Sequence, residues 1–239
     1  MRVKLYVVHG SHPCAAVAKA LELKGLPYSV VEWPPPMHAP IQQLIFGART
    51  VPGVKLDGEK ISGSRAIMRR LDELAPEPPL YPADPAARDA VEEAERWGDE
   101  LFQPIARTLI WPAMKHSPEA MVGYSEGSKL PMPATAIKVM APVVTRLECA
   151  LNHTSDRAAQ AELRMLPGHL DTIDAWIADG TLGAEAPNAA DLQIGSTLRL
   201  MLTLADVRPL IAGRPCEALA RRVFPDAAGE MPAGSLVAV

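Results

Sequence analysis

Along the first 75 residues the apolar positions switch between a period of two and a period near 3.6. Val3, Leu5 and Val7 alternate with Lys4 and Tyr6, which predicts a strand. From Pro13 to Lys24, Cys14, Val17, Ala18 and Leu21 recur at helical spacing, and Gly25 supplies the stop. The segment PYSVVEW (27–33) predicts a second strand. PPPMHAP, which follows Trp33, is expected to be extended or irregular, because proline removes donors and constrains its predecessor. Residues 50–63 predict a hairpin, with Val54, Leu56 and Ile61 as its apolar positions and Asp57-Gly58 as its turn. Residues 64–74 form an amphipathic helix with Ile67, Met68 and Leu71 on one face. The order is βαβ, an irregular segment, then ββα.

Five prolines within residues 75–85 exclude a helix or a central strand there. Beyond them the pattern is helical. Asp84 before Pro85 makes an N-cap followed by a favourable first helical residue, and the helix is expected to run to Trp111 with a bend at Pro104. A loop at 123–133 and helices at 134–153 and 156–179 follow. Asn188 and Asp191 make a capping box ahead of LQIGSTLRLMLTLA, a run so poor in polar positions that its helix is expected to be buried on most sides. The segment after Pro225 is weakly patterned and is expected on the surface. The chain thus divides into an α/β unit (1–75), a linker (76–84) and an all-helical unit (85–239).

Composition adds little except by exclusion. Of 239 residues 48% are apolar, enough for a sizeable core. With a net charge of −4 and dispersed Lys and Arg, nothing points to nucleic acid or an anionic membrane surface. The three cysteines, Cys14, Cys149 and Cys216, are too far apart for a metal cluster or a disulfide framework. No run is long enough to span a membrane and the N-terminus is strand-like, so a cytoplasmic protein is expected.

The candidate chemistry concentrates at Ser11-His12-Pro13-Cys14, where the first strand becomes the first helix. Ser11 is either a plain N-cap or a hydroxyl presented beside the positive end of the helix dipole. Cys14 is either a buried packing thiol or a first-turn thiol able to form a mixed disulfide. His12, at the first helical position, is expected to be exposed. Trp97, Phe102, Trp111, Met114, His116 and Tyr124 are candidate walls of a hydrophobic pocket, and equally candidates for plain core. Glu95, Asp99 and Arg107 suit a dimer seam.

Five separated features resemble the glutathione S-transferase family over roughly the whole chain. They are the strand-to-helix turn carrying Ser11, Val51-Pro52 ahead of the hairpin, Gly63-Ser64-Arg65-Ala66-Ile67, Leu80-Tyr81-Pro82 in the linker, and the Asn188/Asp191 box. The resemblance implies a thioredoxin-like N-terminal domain with a mixed four-stranded sheet, followed by an all-α bundle. It implies glutathione as co-substrate, a small hydrophobic electrophile, a homodimer and a detoxification role. Ser11 would hydrogen-bond the thiolate and so lower the pKa of the thiol. A cis Val51–Pro52 bond would turn the backbone of Val51 toward the cysteinyl unit of glutathione. Gly63, Ser64 and Arg65 would meet its γ-glutamyl end, with Ser64 at a helix N-terminus beside the carboxylate. Gly63 departs from the family pattern, which places an acid there for the glutamyl ammonium; Asp57, Glu59 or a partner subunit are the alternative sources of that acid, and a different thiol or no thiol the alternative ligands. Two rival functions stay open: a Cys14-dependent thiol–disulfide reductase, and a non-catalytic binding scaffold on the same fold.

Overall fold

The structure, a computed structural model, describes residues 1–130 and 132–237. Pro131, within the predicted 123–133 loop, and the last two residues of the helical unit lie outside the described residues. Strands β1 (Val3–Val7), β2 (Tyr28–Glu32), β3 (Gly53–Leu56) and β4 (Glu59–Ser62) form one sheet in the order β2-β1-β3-β4. β1 pairs parallel with β2, Leu5 opposite Val30, and antiparallel with β3, Leu5 opposite Val54. The sheet is therefore mixed, as expected. Asp57-Gly58 closes the β3/β4 hairpin, with Leu56 opposite Glu59.

Period-two patterning decides the faces of β1. Val3, Leu5 and Val7 enter the core with α1 (His12–Leu23) and α3 (Ser64–Leu74). Tyr6 points the other way, where its ring stacks with Trp33 (centroids 6.2 Å) and meets Phe46 edge-on at 5.1 Å. Phe46 belongs to an element the sequence pattern did not predict: α2 (His38–Phe46) follows the proline run directly. The constraint that proline imposes holds for residues 34–36 and ends there, since a helix tolerates proline before its first turn.

Most of the remaining residues are helical. α4 (Pro85–Trp97) is capped by the Asp84 carboxylate accepting from the Ala87 N–H at 2.9 Å. The bend expected at Pro104 is a π-helical turn, Gly98–Phe102, between α4 and α5 (Gln103–His116). Its widened ladder carries the Gln103 N–H to the Gly98 carbonyl, so the donor that Pro104 lacks falls inside a rearranged first turn. A Cβ on Gly98 would stand 2.9 Å from Ile194, so this turn can approach α9 (Ala189–Met201) only as glycine. α6 (Met121–Tyr124), α7 (Ala134–Leu151), α8 (Asp156–Ala178), α10 (Arg208–Ile211) and α11 (Pro215–Val223) complete the bundle. No described helix is long and apolar enough to cross a membrane.

α9 is buried on nearly every side, and its box is complete. Asn188 Oδ1 accepts from Asp191 N at 3.0 Å, and Asp191 Oδ2 accepts from Asn188 N at 2.9 Å. Asp191 Oδ1 also accepts from Gly183 N at 2.8 Å, which ties the preceding loop to the helix.

Two expectations change. The segment after Pro225 is not a loose surface tail. Met231 and Leu236 are buried, Met231 bonds to Thr203 and Ala205, and Ser235 shares a 2.8 Å hydrogen bond with Ser117. Glu95, expected at a dimer seam, is instead buried in the joint between the two units, where Asp99 also faces Arg65 at 4.0 Å. Glu95, fully buried, accepts from Tyr81 Oη at 2.7 Å and faces the guanidinium groups of Arg69 and Arg65 at 3.5 and 3.7 Å. Lys24, also buried, donates to Asp72 at 2.6 Å and to the Pro78 carbonyl at 2.5 Å, which fixes the linker to α1 and α3.

Candidate active site between the two units

An apolar cleft of about 270 Å³ separates the carboxyl ends of β1 and β2 from α5, α6 and α7. On one wall stand residues 8–13 of the β1/α1 turn, Trp33, His38, Thr50 and Val51; on the other stand Arg107, Trp111, Met114, Tyr124, Val144 and Glu148.

Ser11 is the N-cap of α1, with φ −70° and ψ 116°, yet its side chain makes no capping hydrogen bond. Pro13 in the first turn has no N–H to cap, and the hydroxyl is directed toward the Cys14 thiol rather than to a backbone donor. It sits at the mouth of the cleft, beside the free N–H groups and positive end of α1.

Cys14 points behind the turn and is 4% exposed. Burial pushes its thiol up to about 12, and the nearby Ser11 hydroxyl and Val8 N–H only partly oppose this. The thiol is protonated at neutral pH.

His12 is buried, contrary to its expected exposure, because α1 packs that face on α9. Its Nδ1 lies 3.0 Å from Thr197 Oγ1. Thr197 spends its one hydrogen on the Gln193 carbonyl, so the imidazole must donate from Nδ1. Nε2 is left as a bare acceptor without a partner among the described residues. Burial, with Arg107 second, lowers the imidazole pKa to about 3, so His12 is neutral and offers the cleft no proton.

Val51 lines the cleft and precedes a cis peptide bond to Pro52. The Gly63 N–H donates to the Pro52 carbonyl at 3.0 Å, which sets Gly63 and Ser64 next to this ledge. Ser64 is buried at the first turn of α3. Gly63 has φ 89° and ψ 137°, a conformation that side chains rarely adopt. The backbone thus explains the missing acid. Gly63→Glu is expected to cost about 1–3 kcal/mol of stability, readable as a lower urea midpoint with unchanged slope. Neither alternative carboxylate is free: Asp57 accepts from Arg2 N at 2.7 Å, and Glu59 pairs with Arg70 at 3.2 Å. Arg65 is turned toward Glu100, Asp99 and Glu95, away from the cleft.

The proposed pocket walls separate into two groups. Trp111, Met114 and Tyr124 line the cleft. Tyr124 shares a 2.6 Å hydrogen bond with Thr203, and burial raises its phenol to about 12. Trp97 and Phe102 do not reach the cleft. They stack on each other at 5.2 Å, Trp97 meets Trp176 edge-on, and the cluster belongs to the core of the helical unit. His116 is exposed and pairs with Asp156 at 3.0 Å.

Three lining groups escaped the sequence reading as parts of a site. Arg107 forms no ion pair among the described residues, and burial lowers its pKa. Trp33 Nε1 is buried without a hydrogen-bond partner. Glu148, 2% exposed, has one carboxylate oxygen unpartnered. One signal was available for the last: Ile137, Met140, Val144 and Glu148 repeat at spacings of three and four, which puts the acid on the apolar face of its helix.

Comparison with known proteins bears on the fold. The family model described as "Glutathione S-transferase, N-terminal domain" matches residues 5–79. No curated protein matches the chain. Among solved structures, a glutathione S-transferase from Rhodospirillum rubrum F11 is 20% identical, with 98% of each chain covered and a TM-score of 0.62. A beta-etherase from Sphingobium sp. strain SYK-6 is 19% identical over 94% of this chain and 99% of its own, also at 0.62. A glutathione S-transferase from Methylobacterium radiotolerans, solved in complex with glutathione sulfonate, is 20% identical over 97% of each chain, at 0.57. Residues 5–79 therefore match the glutathione S-transferase N-terminal domain model, and the chain as a whole shares the fold of these solved structures.

Proposed function

We propose that this protein is a thiol transferase that holds glutathione, or a closely related thiol, at Ser11 and presents its thiolate to a small hydrophobic electrophile in the cleft. The observation that carries this reading is the Ser11 hydroxyl, free of any capping bond, at the N-terminus of α1 and open to an apolar cavity. A thiol placed there loses its proton to water more readily, because the hydroxyl and the helix dipole favour the thiolate. The sulfur then attacks the electrophilic carbon; an S–C bond forms, and the bond to the leaving group breaks with its electron pair. Proximity supplies much of the acceleration. Val51 and the first turn of α3 offer backbone groups to the peptide part of the thiol. The glutathione sulfonate bound by the Methylobacterium radiotolerans enzyme favours glutathione as that thiol.

The reductase reading is weaker. It needs Cys14 as a thiolate, and burial holds this thiol protonated. Calorimetric titration with glutathione tests the proposal: binding is expected in wild type and in Cys14→Ala, and conjugation of a benzyl halide should persist in Cys14→Ala. A flat titration to several millimolar, or turnover lost with Cys14 alone, would overturn it.

A further inference from the structure

The thiol chemistry makes no use of Glu148, whose position in the cleft is unusual. It stands on α7 at the end of an apolar row, Ile137, Met140 and Val144, all lining the cavity. The residue is 2% exposed. Oε2 accepts from Asn152 Nδ2 at 3.2 Å, whereas Oε1 is buried with no partner among the described residues. Burial lifts the carboxyl to about 7, and the Asn152 amide is its one opposing influence. A buried acceptor without a donor is costly, so such a group is retained where something else supplies the donor.

We propose that Glu148 determines the specificity of the cleft by accepting a hydrogen bond from a hydroxyl on an aromatic substrate. The assignment rests on reading the cavity as the electrophile pocket. It names the substrate class: an aromatic body against Trp111, Met114 and Met140, with its hydroxyl at Oε1. A neutral donor fits better than an ammonium group. Arg107, which forms no ion pair among the described residues, lines the same cavity and opposes a second cation, and the apolar row on α7 cannot solvate one. Discrimination of this kind is strong because a ligand lacking the hydroxyl leaves the acceptor unpaired.

The test uses two isomers of equal composition, 4-ethylphenol, which has a donor, and 4-methylanisole, which has none. Binding of each is measured calorimetrically to the full chain without any thiol present. In wild type the phenol is expected to bind roughly tenfold or more tightly than the ether. In Glu148→Leu the preference disappears. In Glu148→Gln, whose amide oxygen still accepts, it survives in part, and this variant keeps the test intact should the leucine variant fail to fold. Equal affinities in wild type, no binding of either isomer, or a preference unchanged in both variants would overturn the assignment. Because no thiol is present, a failure of glutathione to bind would remove the transferase reading without touching this result, and loss of the phenol preference would leave the Ser11 chemistry standing.

Discussion

Ser11→Ala is expected to lower kcat/KM for thiol transfer by about 10- to 100-fold at pH 7. The hydroxyl would donate to an anionic sulfur, and a hydrogen bond to a charged group contributes about 1.5–3 kcal/mol. Losing it shifts the bound thiol toward its protonated form by about 1–2 pKa units at 1.36 kcal/mol per unit. The sign follows from which form the hydroxyl favours. Its donor stabilises the thiolate, so removal raises the thiol pKa and the rate deficit is largest below that pKa. The gap between wild type and variant should therefore narrow as the pH approaches about 8.5 and above, where a free thiol ionises unaided. Ser11→Thr, which keeps the donor, is expected to recover part of the rate. A pH–rate profile of the three proteins reads this directly, and parallel profiles would argue that Ser11 is structural only.

The largest expected effect on stability is at Asp191. Its two oxygens hold the N–H groups of Asn188 and Gly183, and the side chain is fully buried. Asp191→Ala leaves both donors buried and unpaired, at about 1–3 kcal/mol each. A loss of about 3 kcal/mol is expected, lowering Tm by about 10 °C for a chain of this size. Asn188→Ala removes one cap acceptor and should cost about 1 kcal/mol. The ratio is informative: equal small losses would mean that the loop at Gly183 docks by other contacts. Because α9 carries Thr197, the partner of His12, a loosened α9 is also expected to disturb the β1/α1 turn.

Where the sequence was legible, a local pattern coincided with the tertiary requirement. Val3, Leu5 and Val7 announce both the strand and its buried face, Asp57-Gly58 announces the hairpin, and Asn188 with Asp191 announces the buried helix. α2 was hidden because Pro34-Pro35-Pro36 forbids a helix only up to its own start. The burial of His12 is not legible locally, because a helix-start position says nothing of what packs there, and here it is α9. Trp97 and Phe102 show the same limit: helical spacing puts them on a face, and only packing decides that the face meets Trp176 rather than the cleft. Glu148 was overlooked because a lone acid on a helix ordinarily faces water, although its register with Met140 and Val144 pointed inward.

The mouth of the cleft is proposed to convert a bound thiol into a thiolate. Ultraviolet difference titration of glutathione on the protein, following thiolate absorbance, reads that conversion without any electrophile. A thiolate band is expected at pH 7 with wild-type protein, ionising about 1–2 units below free glutathione, and its loss in Ser11→Ala. A bound thiol that ionises at the same pH as free glutathione would contradict it.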